Sequence, residues 1–348
     1  MKLTRQDSTA KKSRPIEPDI DFVIPWVDGN DPEWREVHDR YVTAEDKRDY
    51  GKSAPIRFRS WDNLQYWFRG VEAFAPWVRK IHFVTWGHTP SWMNQSHPKL
   101  NIVRHEEYIP AKYLPTFSSH VIELNLHRIE GLSERFVYFN DDTFILRQVL
   151  PNDFFKHGLP CDSAAFNAVS LPPTSTMAPA VYNTAVLNRH FTKREMLTKH
   201  PLKWFNPTYG SDVLRTLCLM PWPRITGLME PHLPNSFLKS TYETIWRLEP
   251  EVMDKVSSHK FREPTDVSQW LIRDWQIASG RFVPRSPRIG KRFIQPIDDE
   301  VVGFIVGQKA KMVCVNDDAT EATFESEKQR LIDAFQTILP NRSLYEIG

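Results

Sequence analysis

The sequence predicts an α/β fold: a Rossmann-like, mostly parallel sheet with a helical insertion closing over it. Three observations predict this. Apolar strand-like runs alternate with helical patterns through the first half, in the order β-α-β-β-α-β. Two of the strands run directly into acidic turns, Asp28-Gly29-Asn30-Asp31 and Asn140-Asp141-Asp142, and open α/β sheets bind ligands at such strand ends. Residues 183–280 then read mainly as helix.

Each element has its own signal. Residues 1–18 carry Lys2, Arg5, Lys11, Lys12 and Arg14 without an apolar run, which predicts a disordered basic tail, or more sharply a weak tether to an anionic membrane surface, rather than a secretory signal. Ile20 to Val27 reads as a buried strand. Ser60 is expected to cap a helix whose apolar face is Leu64, Trp67, Phe68, Val71 and Phe74, stopping before Pro76. Lys80 to Trp86 and Leu100 to Arg104 read as strands. Ser118 or Ser119 can cap a helix running to about Arg128, followed by the strand that ends at Asn140. Residues 159–180 are rich in Pro, Ser and Ala and predict a loop or lid. The clearest later helix is Thr265 to Ser279, with Val267, Trp270, Leu271, Trp275 and Ala278 on one face. Residues 281–300 read as loop, Lys311 to Val315 as a strand, and 320–339 as a helix. The predicted division is a tail (1–18), an α/β part (19–158), a mainly helical part (159–300), and a strand and helix that complete the domain (301–348).

Composition narrows the function classes. The 348 residues are 41% hydrophobic and 25% charged, ordinary globular values. A net charge of +2 argues against a nucleic-acid binder with a broad basic face. Cys161, Cys218 and Cys314 are far apart and form no C-x-x-C pair, which fits a reducing cytoplasm and argues against disulfides or structural zinc. No apolar run reaches membrane-span length. G-x-G-x-x-G, Walker A and G-x-S-x-G patterns are all lacking, so nicotinamide, P-loop and α/β-hydrolase chemistry lose their usual marks.

Several residues carry candidate chemistry. Asp141 and Asp142, fixed at a strand end, can hold a divalent cation facing a diphosphate; the plainer reading is an Asx turn. Asn316-Asp317-Asp318 also follows a strand, and a helix cap explains it equally well. Arg57, Arg59 and Arg69 flank the first long helix and suit a phosphate, or else are solvated surface charges. His232, between Pro231 and Pro234, has a fixed backbone and the pKa of a general base, or is a loop histidine with one structural bond. Two acidic strand ends suggest an enzyme acting on a nucleotide sugar.

Taken together the motifs resemble the Stealth family of sugar-1-phosphate transferases, which includes bacterial capsule and exopolysaccharide enzymes and the catalytic subunit that tags lysosomal glycoproteins with GlcNAc-1-phosphate. The first of four family regions resembles Asp21 to Asp31. The second runs from Arg57-Phe58-Arg59-Ser60-Trp61-Asp62-Asn63 through Leu114-Pro115-Thr116-Phe117-Ser118-Ser119 and His127-Arg128-Ile129-Glu130-Gly131 to Asn140-Asp141-Asp142. The third resembles Asn183-Thr184, Pro231-His232 and Phe261-Arg262 with Asp266. The fourth resembles Val313-Cys314-Val315-Asn316-Asp317-Asp318.

The resemblance implies a GT-A-like fold and transfer of a hexose-1-phosphate, most of all an N-acetylhexosamine-1-phosphate, from a UDP-sugar to a glycan hydroxyl, with release of UMP. A glycosyltransferase releasing UDP is the alternative. It implies catalytic roles for Asp141, Asp142, His232 and Arg262. Donor contacts fall to Trp26, Val27, Asp28, Gly29, Arg59, Asp62 and Arg69, and acceptor contacts to Asn183 and Asp266. Mg²⁺ or Mn²⁺ would sit on Asp141, Asp142 and Asp318. The implied setting is the cytoplasm, with peripheral contact at the inner membrane face, no nucleic acid, and a homodimer left open.

Overall fold

Strand β1 (Ile20–Trp26) lies in the middle of a five-stranded sheet, flanked by β2 (Ile81–Thr85) and then β3 (Leu100–Arg104) on one side. On the other side come β4 (Arg135–Tyr138) and β8 (Asn235–Leu238). The computed structural model describes residues 19–43, 58–170 and 178–347; the expected tail, Arg57 and part of the expected 159–180 loop lie outside these. The first four strands are parallel and β8 is antiparallel to β4. Their order, 3-2-1-4, reverses direction between β1 and β4, and doubly wound sheets form their ligand crevice at that switch point.

Except for the edge strand β3, which is half-buried, the strands are buried on both faces, which is why β1, β2 and β4 read as largely apolar runs. Alternation sorts their side chains: Ile20, Phe22 and Ile24 enter one core, and Val23 the other. Val137 and Phe139 of the β4 segment join the first core, while Phe136 and Tyr138 join the second. The helix Leu64–Phe74 packs into the first core through Leu64, Trp67, Phe68 and Val71. It starts after Asn63, not at Ser60, because the Ser60 hydroxyl is engaged with Asp62 (Oγ to Oδ1, 2.9 Å). The helices Ser119–Leu124, Lys239–Leu248 and Trp270–Ala278 cover the other face.

A second sheet stands beside the first. In it β10 (Gly290–Phe293) runs parallel to β11 (Met312–Val315), and β5 (Thr143–Ile145) runs antiparallel to β11. A small third sheet joins β6 (Phe155–Lys156), β7 (Leu159–Asp162) and β9 (Val283–Pro284). Residues 159–300 thus contribute strands to all three sheets, where sequence predicts helix and loop. The helices Asp299–Val306 and Phe324–Ile338 close the second sheet. Among the described residues no helix is long and apolar enough to cross a membrane.

Two buried histidines make stability depend on pH. His105, at the end of β3, is held neutral with its pKa near about 3 by burial and by His88. Burial, helped by Arg128 and Lys239, does the same to His127, also about 3. Both regain an ordinary pKa, about 6.5, on unfolding. Their contribution is therefore full above pH ~6.5 and is lost as pH falls from there toward ~3, because the unfolded chain takes up the protons. The buried carboxyls of Asp141 and Glu230, whose pKa values are raised, act in the opposite direction over this window, so the test is a comparison: between pH ~7.5 and ~5 the wild type is expected to lose roughly 2–4 kcal/mol more stability to urea than a His105→Asn/His127→Asn variant. Equal losses in the two proteins would contradict it.

Candidate functional site

The two Asn-Asp-Asp turns that look separate in sequence meet in space. The first links β4 of the main sheet to β5 of the second, with the Thr143 amide on the Asn140 carbonyl (3.1 Å) and the Thr143 hydroxyl on the same oxygen (2.7 Å). The second follows β11, the neighbour of β5. The Val315 amide donates to the Asp142 carbonyl (2.9 Å), and Asn316 Nδ2 donates to Asp142 Oδ2 (2.9 Å).

His232 closes this cluster. Its Nε2 lies 3.1 Å from Asn140 Nδ2 and 3.5 Å from Asp142 Oδ2. With the amide assigned in this orientation Asn140 can only donate, so the lone pair is on Nε2 and the proton on Nδ1. His232 holds φ at +48°, a left-handed conformation costly for a residue with a Cβ; such strain concentrates at functional sites. The Cys314 thiol donates to Asp142 Oδ2 (3.4 Å).

These groups open into one cleft of about 640 Å³ at the β1/β4 switch point. Its floor is Pro25 to Val27 at the end of β1 and Tyr138 and Asn140 to Asp142 at the end of β4; Arg59, Glu230, His232, Arg262 and Arg292 stand around it. Asp141 is exposed to the cleft yet enclosed by its walls. This desolvation and the adjoining Asp142 charge push its pKa up to about 6, against the pull of Arg262 and His232. Burial and the Asp274 charge also push Glu230 upward.

Of the sequence-predicted residues, Asp141, Asp142, His232, Arg262, Trp26, Val27 and Arg59 line this cleft. Arg59 does so with its guanidinium already paired to Asp317 (Nε to Oδ2, 2.9 Å) and lying over Phe324. The others lie elsewhere among the described contacts. Asp28 is an Asx turn, its Oδ1 taking the Asn30 amide (2.8 Å) while its own amide donates to His88 Nε2 (2.7 Å). Arg69 forms two bonds to Glu346 (2.9 and 2.8 Å). Asp62 pairs with Lys328. Asp318 is exposed, and it is Asp317 that lines the cleft. Asn183 is fully buried and bonded to Ser268 (3.1 Å), and Asp266 is fully buried between His120 (2.9 Å) and His259 (2.7 Å). These two carry no open face for a ligand; Asp266 instead orients His120, which does line the cleft.

Sequence reasoning missed His120, Glu230 and Arg292. His120 sits one residue past a serine already singled out as a cap, and Glu230 two residues before His232; neither spacing marks a site. Arg292 belongs to a basic stretch that reads as loop and becomes β10, where its Nε donates to Asn316 Oδ1 (2.5 Å).

Gly29 supports the site without touching it. A Cβ there would lie 2.2 Å from the Phe58 carbonyl oxygen, so only glycine lets the Phe58–Arg59 backbone pass. Gly29→Ala is expected to lower stability by about 1–3 kcal/mol. A variant with the melting temperature of the wild type would contradict this.

The donor set bears on a cation. Asp142 Oδ1 is buried without a hydrogen-bond partner, an unsatisfied acceptor that costs about 1–3 kcal/mol and fits a site completed by a ligand. Asp142, His232 and Cys314 place one donor atom each within 4.8 Å of one another. The Cys314 thiol already donates to Asp142 Oδ2 (3.4 Å), and a sulfur ligand suits softer metals than Mg²⁺ or Mn²⁺. Of that set Asp142 and His232 remain, with Asp141 next to Asp142 in the chain, and a hard cation such as Mg²⁺ or Mn²⁺ favours the carboxylate oxygens.

Two family regions match the chain: Stealth protein CR1, conserved region 1, over residues 18–46, and Stealth protein CR2, conserved region 2, over residues 57–161. The capsular polysaccharide phosphotransferase WcwK of Streptococcus pneumoniae is 38% identical over 333 residues, 94% of this chain and 98% of that protein. The exopolysaccharide phosphotransferase cps2G of Lactiplantibacillus plantarum is 38% identical over 330 residues, covering 94% and 96%. Among solved structures, the galactosyltransferase LgtC with donor and acceptor sugar analogues covers 93% of this chain at 10% identity and a TM-score of 0.39, a likeness too slight to bear on the site.

Proposed function

Since the chain belongs to the Stealth family, we propose that it transfers a sugar-1-phosphate, an N-acetylhexosamine-1-phosphate carried on UDP, to a sugar hydroxyl of a cell-surface polysaccharide. The observation that supports this reading most is the convergence of Asp141, Asp142, His232 and Arg262 on one cleft at the sheet's switch point. Phosphoryl transfer asks for a charge clamp, an in-line hydroxyl and a base; this group offers the clamp and the base, and the acceptor sugar brings the hydroxyl.

As its oxygen attacks the β-phosphorus of the donor, the acceptor hydroxyl displaces the Asn140 amide from the lone pair of His232 Nε2 and gives its proton to that nitrogen. A new phosphorus–oxygen bond forms, the bond to the bridging oxygen breaks, and UMP leaves with that oxygen. Asn140 holds the imidazole in the tautomer that leaves Nε2 free of a proton. Arg262, anchored on the Ser119 hydroxyl, stabilises charge growing on the phosphoryl oxygens. A divalent cation held by Asp141 and Asp142 would neutralise the diphosphate. Trp26 and Val27 form the wall for the nucleotide. The enzyme would act on the cytoplasmic side of the membrane, where nucleotide sugars are available.

The nucleotide released distinguishes the two chemistries. With UDP-GlcNAc, Mg²⁺ and a glycan acceptor, transfer of the phosphosugar yields UMP. Release of UDP alone would replace this reading with that of a glycosyltransferase.

A further inference from the structure

The helix Asp212–Cys218 packs Val213 and Thr216 inward and still leaves two leucines in water. Its one buried side chain is Thr216, whose hydroxyl accepts the Phe166 amide (3.2 Å). Leu214 and Leu217, three residues apart on the opposite side, are 63% and 47% exposed. A surface helix normally turns such residues toward the core. The next turn continues the pattern, with Met220 at 42% and Trp222 at 54% exposed, Trp222 held between Pro221 and Pro223. Leu202, on the short helix Pro201–Trp204, is 83% exposed.

Cations flank this apolar ridge along the chain. Lys193 donates to the Leu219 carbonyl (2.6 Å), which ties the helix Lys193–Lys199 to it. Arg194, Lys199, Arg215 and Arg224 are exposed along residues 191–224, Lys199 lying 3.5 Å from Glu195 and Arg215 donating to Asn167 (2.9 Å), against exposed Glu195 and half-exposed Asp212. We propose that this ridge is a docking surface for an anionic membrane. Trp, Met and Leu side chains enter the headgroup boundary while the flanking Lys and Arg meet lipid phosphates. A second copy of the chain fits less well, because a two-fold contact through this patch would set the same cations against one another.

The surface is connected to the cleft. Pro179 and Ala180 at the start of the helix Pro179–His190 line the cleft, and Asn188 near its end bonds the Ile225 backbone through its amide (2.9 Å) and its oxygen (3.0 Å). The membrane would then lie roughly one helix length, ~18 Å, from the chemistry. The proposal concerns binding alone and stands apart from the assigned reaction.

Co-sedimentation of the full chain with phosphatidylcholine vesicles, with and without phosphatidylglycerol, tests it. Binding is expected only to the anionic vesicles and to weaken as salt rises from ~0.1 to ~0.5 M. The variant Leu217→Asp/Trp222→Asp is expected to partition at least tenfold more weakly, with the melting temperature and the turnover of a water-soluble acceptor unchanged. Reversing Arg194, Lys199 and Arg224 to Glu should cost roughly fivefold per charge. Vesicle binding undiminished in the Asp variant would assign attachment to another segment and overturn the proposal. So would equal binding to both vesicle types, no binding to either, or a patch-dependent dimer that ignores lipid.

Discussion

Asp142→Asn is expected to lower turnover by on the order of 10²–10³-fold or more while the protein still folds. The substitution keeps the shape and removes the charge. Asp142 is the centre of the constellation: Asn316 and Cys314 donate to its Oδ2, His232 lies 3.5 Å away, and its Oδ1 is buried with nothing to accept from. An amide there cannot hold a hard cation as a carboxylate does, and its NH₂ group would meet other donors. Removing one preorganised charge-stabilising group commonly costs about 10²–10³-fold in turnover. Stability should change little, since the lost carboxylate faces a ligand site rather than a buried cation. Near-normal turnover, measured with saturating donor and acceptor, would remove Asp142 from the chemistry.

His232→Ala is expected to reduce kcat by on the order of 10²–10⁴-fold, the usual worth of a positioned general base, with the donor KM within a fewfold of the wild type. The split follows from the geometry. His232 touches Asn140 and Asp142 rather than the Trp26–Val27 wall, so its removal withdraws the proton acceptor without opening the nucleotide wall. Loss of donor affinity at unchanged turnover would mark His232 as a binding residue. The variant also relieves little of the φ strain, because alanine bears the same Cβ as histidine at +48°. A large fall in activity therefore would not arise from a relaxed loop.

Much of the sheet was legible because parallel strands buried on both faces are mostly apolar: β1, β2 and β4 carry that mark in their residues alone, apart from Asp21, His82, Thr85 and Arg135. β8 did not, since Asn235 and Ser236 open it with polar side chains and its strand character comes from pairing with β4. β10 is masked in the same way, with Lys291 and Arg292 in a strand of four residues set by β11. Long-range pairing also decided which charges reach the cleft. Arg69 is next to a motif in sequence, but Glu346 captures it from 277 residues away. Asp317 rather than Asp318 faces the cleft because Arg59 holds it there. Sequence shows that such residues are charged; which partner reaches each of them first is decided by the fold.

The most direct measurement follows the β-phosphorus itself. With UDP-GlcNAc labelled at that atom and a polysaccharide acceptor, label is expected in the polymer as a phosphodiester, and to be lost from the polymer in both Asp142→Asn and His232→Ala. Label that stays with the nucleotide while sugar enters the polymer would contradict the account.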